Sequence, residues 1–427
     1  MSVSLQRVVV TGMGIVSCLG NTLDDVSTAL RAGRSRVERI DAWRERGFAS
    51  QVAGVASVAR EAPFERKLER FMGDTARFAC HAAQRAIDDA GLAVAALQSP
   101  RAGVVIGSGV GAMASYDAAL AIAQTRGVDK VPPYTVPHAM SSTASANVAQ
   151  TFGLEGVSYS PSSACTTSAL AIGQAMQLIQ TGRQQIVLAG GSEALHDNMT
   201  LMFDAMGALS RRFNDTPDRA SRPYDTQRDG FVIASGGGVL VLEALDHALA
   251  RGARIYAELT GFGDCTDRAG MVAPRAAGIA RAMRGALGPA GRRPDYVNTH
   301  APSTPLGDLE ELHALRDVFG ASGQGVPAFS STKGMTGHSL GACGAHEAIY
   351  TLLMMRDGFI AGTAEVDAPE PQVRDMPLAR TARDASIDTA MSISFGFGGS
   401  CASLMFEAWR AFESAAPTRH DHWPRNA

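Results

Sequence analysis

A cysteine at a strand-to-helix turn is the first group in this chain that could do chemistry. The stretch Ser158-Tyr-Ser-Pro-Ser-Ser-Ala-Cys-Thr-Thr-Ser168, running on to Gly182, reads as a short strand, a tight Ser/Pro turn and a helix with small first residues. Cys165 falls at or next to the helix start, where unpaired backbone N–H groups and the positive end of the helix dipole meet. A thiol there is biased toward thiolate, the nucleophilic form. Ala164, Thr166, Thr167 and Ala169 leave room for a substrate to reach the sulfur. A lone cysteine in an apolar protein is most often a small buried hydrophobe, so the rest of the chain must supply partners. His300 ends the strand Asp295-Tyr-Val-Asn-Thr-His300, and Lys333 and His338 occupy a second strand-to-helix turn. One nucleophile, two imidazoles, an ammonium and a Gly-rich loop with free N–H groups suit acyl transfer.

The elements that must hold these groups alternate between strands and helices. Val8-Val-Val-Thr-Gly-Met-Gly14 is a buried strand; Asn21 is expected to cap a helix to about Ala32, stopped by Gly33. The turn after the first strand lacks the GxGxxG spacing of a dinucleotide loop. Residues 41–65 read as irregular, and 74–90 as a helix. Strands over 102–109, 185–193 and 236–243 complete a first half, about 1–250. A second half, 251–410, repeats the pattern. Its strands are 253–263, 295–300 and 328–331, its helices 274–287 and 307–318, and a glycine-turned strand pair spans 390–406. The alternation calls for a mostly parallel sheet in each half, covered by helices. Strand ends facing helix starts are where such sheets bind ligands. Residues 411–427 read as a polar tail outside the fold.

Composition limits the function classes. The 427 residues are 45% hydrophobic and 19% charged, with 45 glycines and a formal net charge of −3. Nothing global favours nucleic acid, and no apolar run reaches the ~20 residues of a membrane span. Six scattered cysteines without a CxxC pair suit a reducing compartment rather than a disulfide framework or a zinc site. The first strand begins near the N-terminus, with no signal peptide before it. The expectation is a cytoplasmic protein.

Four motifs in order, Ser163-Ala-Cys165, Asn298-Thr-His-Ala-Pro-Ser-Thr-Pro-Leu-Gly-Asp308, Thr332-Lys-Gly-Met-Thr-Gly-His-Ser-Leu-Gly341 and Ser394-Phe-Gly-Phe-Gly-Gly399, resemble those of the β-ketoacyl-acyl-carrier-protein synthases. Within that family the chain looks most like the type I group of bacterial fatty acid synthesis, over about residues 5–407. The resemblance implies a thiolase-like α/β fold of two duplicated halves in five αβαβα layers, normally a dimer. It implies decarboxylative Claisen condensation without a metal or a resident cofactor, the substrates riding on the phosphopantetheine of acyl carrier protein. Cys165 would take the acyl group, and His300 and His338 would donate N–H to the malonyl thioester oxygen. The peptide N–H groups of Cys165 and Phe397 would form the oxyanion hole, each donor worth about 3 kcal/mol of barrier. Lys333 would orient His338, with Glu347 as counter-charge. On the substrate side, Phe395 would gate the nucleophile, Val110 would line the acyl pocket, and Thr304 would hold the pantetheine arm. From the residues alone Lys67 and Arg70 belong to a solvated charged face; the resemblance makes them contacts for the acidic carrier.

The chain departs from the family at Ala301-Pro302, usually Gly-Thr, and at Ser400-Cys401, usually Thr-Asn. The first change removes a hydroxyl and a backbone N–H from the pantetheine side. These departures raise a specialised ketosynthase of an aryl-polyene or polyketide pathway, paired with itself or with a chain-length-factor partner. A thiolase is a further alternative; it would need a second cysteine as base, and Cys401 lies near the last glycine-rich loop.

Overall fold

The computed structural model describes residues 5–58, 64–268, 270–289, 291–320 and 324–410. The expected polar tail, 411–427, lies outside the described residues. Ten strands form one continuous sheet: β1 (Val8–Val16), β2 (Ala102–Gly107), β3 (Ser158–Tyr159), β4 (Ile186–Glu193), β5 (Gly236–Ala244), β6 (Ala257–Thr266), β7 (Tyr296–Asn298), β8 (Ala328–Ser330), β9 (Thr389–Gly396) and β10 (Ser400–Ala408). Their order is β8-β7-β9-β10-β6-β1-β5-β4-β2-β3. The longer helices are α1 (Leu23–Ala32), α2 (Asp74–Asp89), α3 (Met113–Arg126), α4 (Thr143–Phe152), α5 (Thr167–Gln180), α6 (Asp197–Met206), α7 (Ala276–Leu287), α8 (Gly307–Phe319) and α9 (Cys343–Asp357).

The layers follow from which faces are apolar. Helices α2 and α4 cover the outer face of β1, β5, β4 and β2, and α7, backed by α8, covers β6 and β10. Between the two halves of the sheet run α5 and α9. Every residue of α9 from Cys343 to Met354 is buried, the signature of a helix with packing on all sides. Close crossing of the two central helices requires Gly344, where a Cβ would stand 2.7 Å from the Ala169 nitrogen. The expected five-layered arrangement is present.

Three local expectations need correction. The sheet is mixed rather than mostly parallel: β5 runs antiparallel to both β1 and β4, and β10 runs antiparallel to β9 and β6. The reason is connectivity. A glycine turn folds β9 straight back into β10, and the long 197–230 connection returns β5 against β4. The two halves also join edge to edge, since Val9 and Val10 pair with Glu258 and Ala257. The cap of α1 is Thr22, whose hydroxyl accepts from the Asp25 N–H at 3.1 Å, while Asn21 donates to the Ser57 carbonyl. Finally, residues 41–65 are not wholly irregular. A short helix (Asp41–Glu45) buries Trp43, and Val52–Gly54 pairs with Glu38–Arg39 and Ile233–Ala234 in a small sheet.

Within α9, His346 ties the central layer to β1. Its Nδ1 faces the Ser339 hydroxyl at 3.0 Å and its Nε2 donates to the Val16 carbonyl at 3.2 Å. Burial holds its pKa down to about 4. An unfolded histidine binds a proton below about pH 6.5, whereas this one stays neutral until about 4, so stability is full above 6.5 and falls as pH drops. Between about pH 7 and 5 the contribution lost is about 2 kcal/mol. Urea denaturation at fixed protein concentration is expected to show a pH 7-to-5 stability loss smaller by about that amount in His346→Asn. An equal loss in both proteins would remove His346 as the cause.

Candidate active site

Cys165 sits on a single 3₁₀ turn (Ala164–Thr166) immediately before α5. Ala164 takes φ 47, in the left-handed region, and this kink turns the next residue outward. The same device recurs before α9, where Leu340 also has φ 47. His338 lies just upstream of that second turn. Its backbone is bridged to the small sheet, donating to the Val232 carbonyl at 2.7 Å and accepting from the Ala234 N–H at 3.0 Å. His300 follows the end of β7, where Glu311 on α8 accepts the His300 and Ala301 N–H groups at 2.7 and 2.8 Å.

These elements bring Cys165, His300 and His338 to one cavity of about 580 Å³. The His338 Nε2 lies 3.0 Å from the Cys165 sulfur. The two imidazoles meet edge to face with ring centres 5.0 Å apart. A hydrogen bond from the Phe397 N–H reaches the Cys165 sulfur. Gly396 is what lets that loop come so close, because a Cβ there would stand 2.9 Å from the Cys165 nitrogen. Val110, Thr304, Phe395 and Phe397 also line the cavity, as does Pro302.

Electrostatics correct one expectation about the nucleophile. Burial pushes the Cys165 thiol up to about 12, and Lys333 pulls against it without prevailing. Position at a helix start therefore does not give a standing thiolate. Burial, then the Lys333 cation, holds both His300 and His338 well below the usual histidine range. The resting set is a neutral thiol facing neutral imidazoles.

Lys333 serves His300 rather than His338. Its Nζ donates to the His300 carbonyl at 2.6 Å, lies 3.4 Å from His300 Nδ1, and contacts the Glu347 carboxylate directly. An ammonium has no acceptor capacity, so His300 Nδ1 must present its lone pair and the ring proton resides on Nε2. Burial pulls the Lys333 pKa down, but Glu347 together with Cys343 and Glu311 offsets this and the net direction is up. Burial drives Glu347 toward its neutral form and Lys333 pulls the other way, which leaves it raised to about 7. With three acceptors around Nζ, the ionised pair is the state the contacts favour. Glu347 is thus a buried partner of Lys333, absent from the cavity wall where substrate would lie.

Phe395 departs from the gating role as well. It is a β9 residue, buried, with its ring 4.4 Å from that of His300. Phe397 is the more exposed of the two, sits on the glycine turn and faces Phe203 at 6.2 Å. Lys67 and Arg70 stand exposed away from the cavity lining. Lys67 pairs with Glu65 at 2.6 Å, and Arg70 lies over the Tyr134 ring at 5.3 Å. Cys401 is 2% exposed, and its sulfur faces the Gly399 carbonyl rather than the cavity. It is not placed to act as a thiolase base.

Among the described residues, two donor clusters have spacing that a metal could use. Cys165, His300 and His338 bring one ligand atom each within 4.8 Å of one another, as do His300, Cys343 and Glu347. The second cluster already holds the Lys333 ammonium. The first opens on the cavity and suits a carbonyl group equally well.

Sequence reasoning passed over Glu193 and Glu311. The buried Glu193 carboxylate accepts from the Ser108 hydroxyl at 2.6 Å and from the N–H groups of Gly109, Val110 and Gly341 at 2.8, 3.2 and 3.0 Å. It thereby fixes Val110 in the cavity wall and ties that loop to the Leu340 turn. A charged residue ending an otherwise apolar strand was the available signal.

The chain matches the family described as Beta-ketoacyl synthase, N-terminal domain, over residues 5–248, and the corresponding C-terminal domain over 256–367. It is 46% identical to 3-oxoacyl-[acyl-carrier-protein] synthase 1 of Haemophilus influenzae, over 95% of this chain and 100% of the relative. It is 47% identical to the protein of the same name from Escherichia coli, over 94% and 98%. A β-ketoacyl synthase structure from Burkholderia phymatum superposes with TM-score 0.89 at 37% identity, covering 95% and 100%. A type II polyketide ketosynthase in complex with its acyl-carrier protein superposes with TM-score 0.87 at 31% identity. With both domains matched and near full-length identity of this order, the chain belongs to the β-ketoacyl synthase family.

Proposed function

We propose that this protein is a 3-oxoacyl-[acyl-carrier-protein] synthase, an acyltransferase that lengthens acyl chains in fatty acid biosynthesis by decarboxylative condensation. The carrying observation is a thiol 3.0 Å from an imidazole, with a second imidazole edge-on to the first, in one cavity. Fatty acid elongation is favoured over a polyketide role because the near full-length relatives at 46–47% identity carry that name, whereas the polyketide-type structures stand at 30–31%.

In the first step Cys165 attacks the thioester carbonyl of an acyl carrier. The thiol proton moves to the departing pantetheine sulfur, so the high thiol pKa is met by proton transfer during attack, while His338 keeps its Nε2 proton toward the reacting centre. The malonyl thioester then enters. As its carboxylate leaves as CO2, the bonding electrons move onto the thioester oxygen, which accepts N–H bonds from His300 Nε2 and His338. The enolate carbon attacks the acyl-enzyme. Its oxyanion meets the peptide N–H groups of Cys165 and Phe397, and collapse expels the Cys165 sulfur. Neutral imidazoles are what this step needs, and burial with Lys333 keeps them neutral.

Acyl carrier protein is the partner this reading requires, with Lys67 and Arg70 as cationic contacts for its acidic surface. The missing threonine hydroxyl at Pro302 loosens the hold on the pantetheine arm and leaves Thr304 to bear it. A homodimer is supported by exposed Tyr116 and Leu120 on α3, Leu201, Met202 and Met206 on α6, and the exposed edge strand β3. No helix among the described residues is long and apolar enough to cross a membrane, and the six free cysteines suit a reducing cytoplasm.

Intact-mass analysis after incubation with acyl carrier is expected to show one acyl adduct on the wild type and none on Cys165→Ala. His300→Ala should still load, while condensation with malonyl carrier falls by about 10²–10³-fold. Loss of loading and condensation together in His300→Ala would contradict the assigned step. Lys333→Met removes a cation that holds both imidazoles down, so the acid limb of the condensation rate is expected to move to higher pH. An unmoved limb in the pH–rate profile would separate Lys333 from the histidines.

A further inference from the structure

Cys265 and Cys401 lie outside the reacting cavity, and no step of the condensation uses them. They are directly opposed in the antiparallel register of β6 and β10, so both side chains leave the sheet on one face. Helix α7 covers that face. The Cys265 thiol donates to the Gly278 carbonyl at 3.2 Å, and a Cβ built on Gly278 would stand 3.3 Å from the Cys401 sulfur. The two sulfurs share a gap that exists because position 278 has no side chain. Opposed residues hold their Cβ atoms about 4.5–5.5 Å apart, against about 3.5–4.5 Å in a disulfide. Closing the bond therefore needs only a small approach of the two strands.

The two thiols differ in the way an attacking and a resolving cysteine differ. Cys265 is partly exposed, and the exposed Arg281, one turn along α7 from Gly278, donates to the carbonyl of the neighbouring Thr266 at 2.8 Å. Cys401 is buried, its thiol 3.7 Å from the Gly399 carbonyl. The strand start it occupies is mechanically close to the reacting groups. The neighbouring Ser400 hydroxyl meets Thr166 at 2.7 Å and Ser163 at 3.0 Å, on either side of Cys165. The glycine turn carrying Phe397 ends at Gly399, whose carbonyl accepts the Asp267 N–H at 2.8 Å.

We propose that Cys265 and Cys401 form a redox modification site that reacts with a hydroperoxide, closes to a disulfide and lowers the condensing activity. The Cys265 sulfur attacks one peroxide oxygen as its proton is lost, and the O–O bond breaks. With hydrogen peroxide the departing hydroxide takes a proton and leaves as water, giving a sulfenic acid. The Cys401 sulfur then attacks that sulfur, and its proton leaves with the sulfenic hydroxyl as a second water. Two thiols lose two electrons and one peroxide gains them; a dithiol reductant reverses the change. Closure draws the start of β10 toward β6, displacing Ser400 from Ser163 and Thr166 and the Phe397 N–H from the Cys165 sulfur. The effect on activity rests on the proposed function; the disulfide does not.

The test treats the full-length protein with hydrogen peroxide, blocks remaining thiols and maps the peptides, with Cys265→Ser and Cys401→Ser in parallel. The expected result is a 265–401 cross-linked peptide pair, lighter by two hydrogens, reversed by dithiothreitol and absent from both variants. The wild-type kcat should fall about tenfold or more, and the part restored by dithiothreitol should be missing in the variants. Reversible oxidation of Cys165 itself would act on all three proteins alike. Cys265 recovered as a blocked single thiol, with no cross-link, overturns the site. A cross-link with equal restored activity in all three proteins overturns the coupling. Absence of condensing activity before any treatment would instead refute the proposed function, on which the peptide map does not depend.

Discussion

The contact on which most of the active centre depends is the buried one between the Lys333 ammonium and the Glu347 carboxylate. Taking both charges out of water costs several kcal/mol per ion, and the cost is met only where further hydrogen bonds satisfy the remaining donors. Here those bonds go to His300, through its carbonyl and Nδ1. A single ammonium thus pins the Lys333 turn, the middle of α9 and the end of β7 to one point. It also fixes which nitrogen of His300 carries the proton and helps keep both imidazoles uncharged. Loss of either charge would leave the other stranded in the interior, which is more costly than never having built the pair.

Around that point the molecule uses one local device twice. The left-handed residues Ala164 and Leu340 each cost on the order of 1–3 kcal/mol of backbone strain, and each turns the chain into a central helix. The first turn carries Cys165. The second follows His338 and places Gly341, where the Glu193 carboxylate binds its N–H. Glu193 ties the 108–110 loop to this second turn by accepting from both, and the thiol and the imidazole meet at 3.0 Å although 173 residues separate them.

Much of this was legible in the sequence. Cys165 at a strand-to-helix turn, His300 at a strand end and the glycine-turned pair of strands are local patterns that composition and periodicity record. What the sequence hid arises from contacts between distant segments. The resemblance supplied Glu347 as the counter-charge of Lys333, but the histidine that Lys333 serves, His300 rather than His338, could not be read because β7 and the Lys333 turn converge only in three dimensions. The thiol pKa was misjudged for a similar reason: a helix start suggests a thiolate, but the depth of burial that outweighs it is set by the packed surroundings. The antiparallel placement of β5 depended on the path of a long irregular connection. Glu193 and Glu311 gather backbone N–H groups, and such partners leave no mark on residue type.

The state of the two rings tests the central claim most directly. Nitrogen-15 NMR of the imidazoles of His300 and His338, assigned with single-histidine variants, reports both charge and tautomer. Both rings neutral at about pH 7, with the His300 proton on Nε2, is the expected result. An imidazolium at either position, or a His300 proton on Nδ1 facing the Lys333 ammonium, would contradict it.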